Sequence, residues 1–123
     1  MSKNQLQYGH SGEDLAVQFL EGQGYRILAR NYRTRMGEID IVARHKDVIV
    51  FVEVKSRRSL AYGDPKWAIT PAKQRKISMT ALAYLKARGT TQTKARFDVV
   101  TVQPKDGRPH IEVIRNAFEL AYP

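Results

Sequence analysis

A chain of 123 residues is one domain's worth, long enough for one proper core. It has no cysteine, which excludes disulfides and thiolate metal sites, and no stretch approaches the roughly 20 apolar residues needed to span a bilayer. Lys and Arg total 21 against 12 Asp and Glu, a net charge of +9 that attracts polyanions, with nucleic acid the commonest of them.

Residues 1–10 are polar and are read as a flexible N-terminal segment, followed by a single domain over 11–123. The opening MSKNQLQYGHSGED has no apolar signal-peptide core, so a cytoplasmic location is expected. A helix is predicted from Ser11. Ser11 and Asp14 resemble a capping box, Leu15, Ala16, Phe19 and Leu20 form an apolar stripe, and Gly22 and Gly24 end it. Strands are predicted over Tyr25–Tyr32, Gly37–Arg44 and Asp47–Ser56, the last two joined by the short link His45-Lys46-Asp47. Arg57 to Pro65 is a polar loop. A long helix follows, with Thr70 as N-cap, Pro71 at its first position and Gly89 stopping it after Arg88. Two strands, Ala95–Val102 and Pro109–Arg115, flank a turn around Lys105-Asp106-Gly107, and Asn116 to Tyr122 reads as a last helical turn. The order is α-β-β-β-α-β-β, an α/β class.

The third strand carries most of the information. Val48, Val50, Val52 and Val54 share one face; Ile49, Phe51, Glu53 and Lys55 share the other. Both faces are apolar for most of the length, so the strand belongs in the middle of a sheet covered on both sides. A lone carboxylate ending such a row is costly to desolvate, and Glu53 therefore needs a cation: Lys55 or a metal. In the second strand Ile39, Ile41 and Ala43 share one face, and Glu38, Asp40 and Val42 the other. Whether the acidic rows meet depends on register. Paired positions that sum to an odd number, as a two-residue turn gives, put Asp40 on the Glu53 face; a three-residue turn puts it on the opposite one. If the rows meet, Asp40, Glu53 and Lys55 form an oxygen-ligand site suited to Mg²⁺ or Mn²⁺ and to phosphodiester hydrolysis. The plainer alternative is a Glu53–Lys55 ion pair with Asp40 exposed at an edge.

Gly37-Glu38-Ile39-Asp40-Ile41-Val42 followed by Val50-Phe51-Val52-Glu53-Val54-Lys55-Ser56-Arg57 closely resembles the YraN family of bacterial proteins. The resemblance extends to Gly12-Glu13, Asn31-Tyr32-Arg33, Lys73-Gln74, Arg96-Phe97-Asp98-Val99-Val100 and Asn116-Ala117-Phe118. It implies a relative of archaeal Holliday-junction resolvases, with a restriction-endonuclease-like PD-(D/E)xK core: a mixed central sheet flanked by helices. Asp40 is similar to the superfamily's first acidic ligand, Glu53 and Lys55 to its Glu-x-Lys element, and Glu13 to an acidic residue on the first helix. The resemblance implies that the Val54 carbonyl also faces the metal, and that Gln74 stands near the active site.

Around these, Glu38 is a further acid beside Asp40, and Arg33, Arg57, Arg58, Lys73 and Lys76 are candidate phosphate contacts. Tyr62 and Trp67 could stack on bases or plug a core; Asp98 reads as an ion-pair partner of a neighbouring Arg or Lys. His10, His45 and His110 are scattered and form no zinc pattern. The leading expectation is an Mg²⁺-dependent endodeoxyribonuclease acting on structured or branched DNA, with a homodimer suited to a junction's two symmetric cuts. The alternative is a non-catalytic nucleic-acid-binding module on the same fold. An RNA-directed role is compatible with the same charge.

Overall fold

The structure, a computed structural model, describes residues 8–56, 69–90 and 92–118, with side chains from Gly12 onward. In chain order the elements are α1 (Tyr8–Gly22), β1 (Tyr25–Thr34), β2 (Gly37–His45), β3 (Val48–Ser56), α2 (Pro71–Ala87), β4 (Ala95–Lys105) and β5 (Arg108–Phe118). The five strands form one sheet in sequence order. β3 pairs parallel with β4, and the other neighbours are antiparallel. The chain is therefore mixed α/β, with the expected element order. Among the described residues no helix is long and apolar enough to cross a membrane.

The parallel pair explains the crossover. After β3 the chain must return to the starting edge before running alongside it, and α2 makes that return over one face. Its Ile77, Ala81, Tyr84 and Leu85 pack with Phe51, Phe97 and Val99. On the other face Ala16 and Leu20 of α1 pack with Val50, Val52, Val100 and Val102. β3 thus has its two apolar rows covered by different helices, as its sequence requires.

Several boundaries differ from the sequence reading. α1 begins at Tyr8, so Ser11 stands inside the helix rather than at its cap. α2 keeps its predicted start: the Thr70 side chain accepts the Lys73 N–H at 3.1 Å, with Pro71 following. Asn116 to Phe118 is strand, not a helical turn. The cause is local: Asn116 takes a left-handed φ of 54° and its N–H donates to the buried Asp98 carboxylate at 3.0 Å. That irregularity lets the strand resume pairing, Phe97 with Phe118, and the two rings stack 4.7 Å apart.

The β2–β3 turn holds two residues, Lys46 and Asp47, with Lys46 at a φ of 57°. His45 pairs with Val48 and Ile41 with Val52, so paired positions sum to 93, the odd value. The strict alternation read for β2 does not hold throughout. Ile41 and Ala43 face α1 and Val42 faces α2, but Ile39 also packs on the α2 side. The phase changes around Asp40, opposite Asn31, whose φ of 53° turns β1 over at the same level.

Candidate active site

The β2–β3 ladder ends at Ile41 and Val52. Asp40 and Glu53 are the next residues along the two strands, where the pairing opens. The Val54 N–H donates to Asp40 Oδ2 at 2.8 Å, so the side chain takes a backbone donor of β3 just past the last pair. Asp40, Glu53, Gly37, Glu38, Lys73 and Lys76 line one cavity of about 230 Å³, floored by Ile77. Asp40 is half-buried there, not an exposed edge residue.

Glu53 is held by two amines. Its Oε1 lies 2.9 Å from Lys73 Nζ and 3.7 Å from Lys55 Nζ, and only 11% of its side chain is exposed. Lys55 comes from β3 itself; Lys73 is delivered by the first turn of α2, four residues before Ile77 on the sheet-facing stripe. Burial pushes the Lys55 amine below its ordinary pKa, and the neighbouring Lys73 pushes it further in the same direction. For Lys73, burial works to lower the value, but the bonds to Glu53 and Lys55 and the charge of Asp40 outweigh it, and the net shift is upward.

Among the described residues Asp40 forms no salt bridge within 4 Å. Burial, then the Glu53 charge, raise its carboxyl from 3.8 to about 6, with smaller contributions from Glu13 and Glu38; the Val54 hydrogen bond only partly opposes this. Asp40 is thus a half-buried carboxylate beside a second one, Glu53, whose charge adds to the effect of burial.

The remaining predicted residues are placed around this centre. Gly12 of α1 lies so close to the end of β3 that an added Cβ would run into Ser56 Oγ. That close approach carries Glu13 toward the site. Its Oε1 accepts from Arg30 at 3.0 and 3.1 Å and from Asn31 at 3.2 Å, and its charge is felt at Asp40. Arg33 is exposed and pairs with Glu38 at 3.3 Å. Gln74 Nε2 donates to the Ile69 carbonyl at 3.0 Å, fastening the approach to α2. Arg57, Arg58, Tyr62 and Trp67 lie outside the described residues. Among the described residues no three His, Asp or Glu side chains converge as a ligand group.

Two features escaped the sequence reading. Lys73 was grouped with phosphate contacts, yet it is the shorter partner of Glu53; its place at the head of the α2 stripe was the available signal. Asp98 was expected to pair with a neighbouring base, and Arg96 does so at 3.0 Å. Its bond from the Tyr25 hydroxyl at 3.0 Å, across 73 residues, had no local signature.

The sequence model of the uncharacterised protein family UPF0102 matches residues 12–102. A UPF0102 protein of Desulfosudis oleivorans is 52% identical over 97% of this chain and 95% of its own length. One from Syntrophus aciditrophicus is 54% identical over 99% and 95%, and one from Geobacter sulfurreducens 55% over 93% and 90%. Among solved structures, Pyrococcus furiosus SfsA in complex with Ca²⁺ aligns with a TM-score of 0.40 at 16% identity, covering 98% of this chain and 65% of that one.

Proposed function

We propose that this chain, which belongs to the uncharacterised protein family UPF0102, is a metal-dependent endonuclease of PD-(D/E)xK type acting on structured or branched DNA. One observation supports the reading: Asp40 and Glu53 line one cavity with Lys73 and Lys76 where the β2–β3 pairing ends, and Lys55 Nζ lies 3.7 Å from Glu53 Oε1. A structural Glu53–lysine ion pair alone gives no reason for a second, half-buried carboxylate beside it.

The donor set fits a hard divalent ion. Asp40 and Glu53 offer carboxylate oxygens, and the Val54 carbonyl is the neighbouring backbone candidate. Asp40, raised to about 6 by burial and by the Glu53 charge, gains from such a partner. An ion held there supplies charge neutralisation at the phosphate and acidifies a bound water. The chain's own groups do the rest. Lys55, whose amine burial and Lys73 push below its ordinary pKa, orients the attacking water and offsets negative charge building on the phosphate. Lys73 and Lys76 draw the phosphate into the cavity. The Val54 N–H fixes one Asp40 oxygen so that the other stays directed at the site. Every group named comes from one chain. A second copy would be needed only to cut both strands of a junction.

The test is cleavage of four-way junction, flap, duplex and single-stranded DNA with Mg²⁺ or Mn²⁺. Wild type is expected to cut, and Asp40→Ala and Lys55→Ala each to lose at least about a hundredfold in rate. Salt-sensitive DNA binding without cutting, unchanged in both variants, would instead establish the binding-module reading.

A further inference from the structure

The β1–β2 hairpin ends in a tip of unusual character. Thr34 pairs with Gly37, leaving Arg35 and Met36 as the turn. Met36 is 48% exposed, the most exposed large apolar side chain among the described residues. With Thr34, Met79, Leu82 and Ala83 it lines a mostly apolar groove of about 340 Å³ between the tip and α2, with Arg35 and Lys86 at the rim. The volume falls in the range of roughly 300–1,000 Å³ typical of ligand clefts. Among the described residues no acidic side chain lines it.

The tip is held in place. The Met36 N–H donates to Thr34 Oγ1 at 3.0 Å, and that hydroxyl lies 3.5 Å from Thr80 Oγ1 on α2. Thr80 in turn donates to the Lys76 carbonyl at 2.8 Å. Gly37, the next residue, approaches α2 so closely that a Cβ would stand 3.3 Å from Thr80 Oγ1. Met36 is therefore presented on a fixed support, at the mouth of the apolar groove. Gly37 and Lys76 also line the Asp40–Glu53 cavity, so the groove and the cavity lie side by side along the same hairpin and helix.

We propose that Met36 is a wedge that enters a nucleic acid at a strand branch, and that the groove behind it receives the nucleobase unstacked there. The inference rests on the nuclease reading and names the feature of the substrate that the site selects. An apolar side chain on a braced tip opens a base step at least cost where stacking is already broken, as at a fork or junction. The freed base finds apolar side chains in Met79, Leu82 and Ala83. Its flanking phosphates meet Arg35 and Lys86 on one side and Lys76 on the other. The cavity lies next along the same hairpin and helix, which directs the phosphate beside the unstacked base toward Asp40 and Glu53.

The experiment uses DNA and RNA forks, and matched duplexes, carrying 2-aminopurine at or away from the branch, with EDTA present so that nothing is cut. Wild type is expected to raise the fluorescence of the branch probe only. It should bind the preferred fork about tenfold more tightly than duplex. Met36→Ala should abolish the fluorescence rise and the preference while leaving duplex affinity within about twofold, and Met36→Leu should retain both. Met36 is exposed, so folding is not at stake. Binding with no branch-specific signal, or a preference that survives Met36→Ala, overturns the wedge and leaves the nuclease reading standing. No nucleic-acid binding at all, with Met36-dependent self-association on a sizing column, overturns both and makes the groove a protein contact.

Discussion

Two aspartates of this chain, the buried Asp98 and the half-buried Asp40, face opposite fates. Asp98 is fully buried on β4 and its carboxylate receives the Tyr25 hydroxyl, the Arg96 guanidinium and the Asn116 N–H. Arg96 also meets the Tyr25 hydroxyl at 2.9 Å and His45 Nδ1 at 3.1 Å, and His45 stacks on Tyr25 at 4.2 Å. The two Asp98 oxygens accept from donors on three strands, β1, β4 and β5. Asp40 receives one backbone N–H, faces Glu53, and has its carboxyl raised to about 6. The first is a finished joint. The second is a group whose surroundings leave something for a ligand to supply.

The largest test of that contrast is Asp98→Ala, which strands Arg96 and the Tyr25 hydroxyl in the core. A loss of about 3–5 kcal/mol in urea unfolding is expected. A loss under 1 kcal/mol would mean that the joint contributes little and the contrast is empty.

Asp40 should behave in the opposite sense. Its folded pKa stands above its unfolded one, so the fold binds the proton more tightly than the unfolded chain does. That contribution is full below about pH 4 and disappears as pH rises through about 6. A carboxyl moved from 3.8 to about 6 carries up to about 3 kcal/mol. Asp40→Asn, which keeps an acceptor for the Val54 N–H, should therefore stabilise the protein by up to that amount at pH 7.5 and by nothing at pH 3.5. Urea titrations at the two pH values read this directly; equal effects at both would remove the charge argument.

Lys73 gives the smallest and most diagnostic effect. Its side chain is 40% exposed, so losing its bond to Glu53 in Lys73→Ala should cost only about 1 kcal/mol. The same change frees Glu53 from its shorter cation partner. Mn²⁺ binding followed by calorimetry should then tighten severalfold if the amine and the ion compete for one carboxylate. Weakened Mn²⁺ binding would mean that Lys73 supports the site rather than occupying it.

Much of this was legible in the residues. The double apolar row of β3 identified a central strand, and the two charges closing one row marked Glu53 and Lys55. Thr70-Pro71 and Gly89 framed α2 to within a residue, because caps and breakers act through their own backbone. Helix and strand patterns are short-range consequences of side-chain periodicity, and a linear sequence carries them in full.

What lay beyond the sequence depended on register and distant partners. The link His45-Lys46-Asp47 allowed either parity; pairing of Val42 with Phe51 and of Ala43 with Val50 chose the odd one, because it keeps each apolar row under its own helix. The reversal at Asn31 and Asp40, which moves Ile39 to the α2 side, follows from a left-handed residue that no alternation predicts. The choice of Lys73 over Lys55 as the closer partner of Glu53, and the seating of Met36 against α2, were settled when the crossover helix docked on the sheet. Composition and spacing thus determined which residues could do chemistry. Only the packing of α2 on β2 and β3 decided which of them stand together, because ion pairs and cavities depend on distances between segments far apart in the chain.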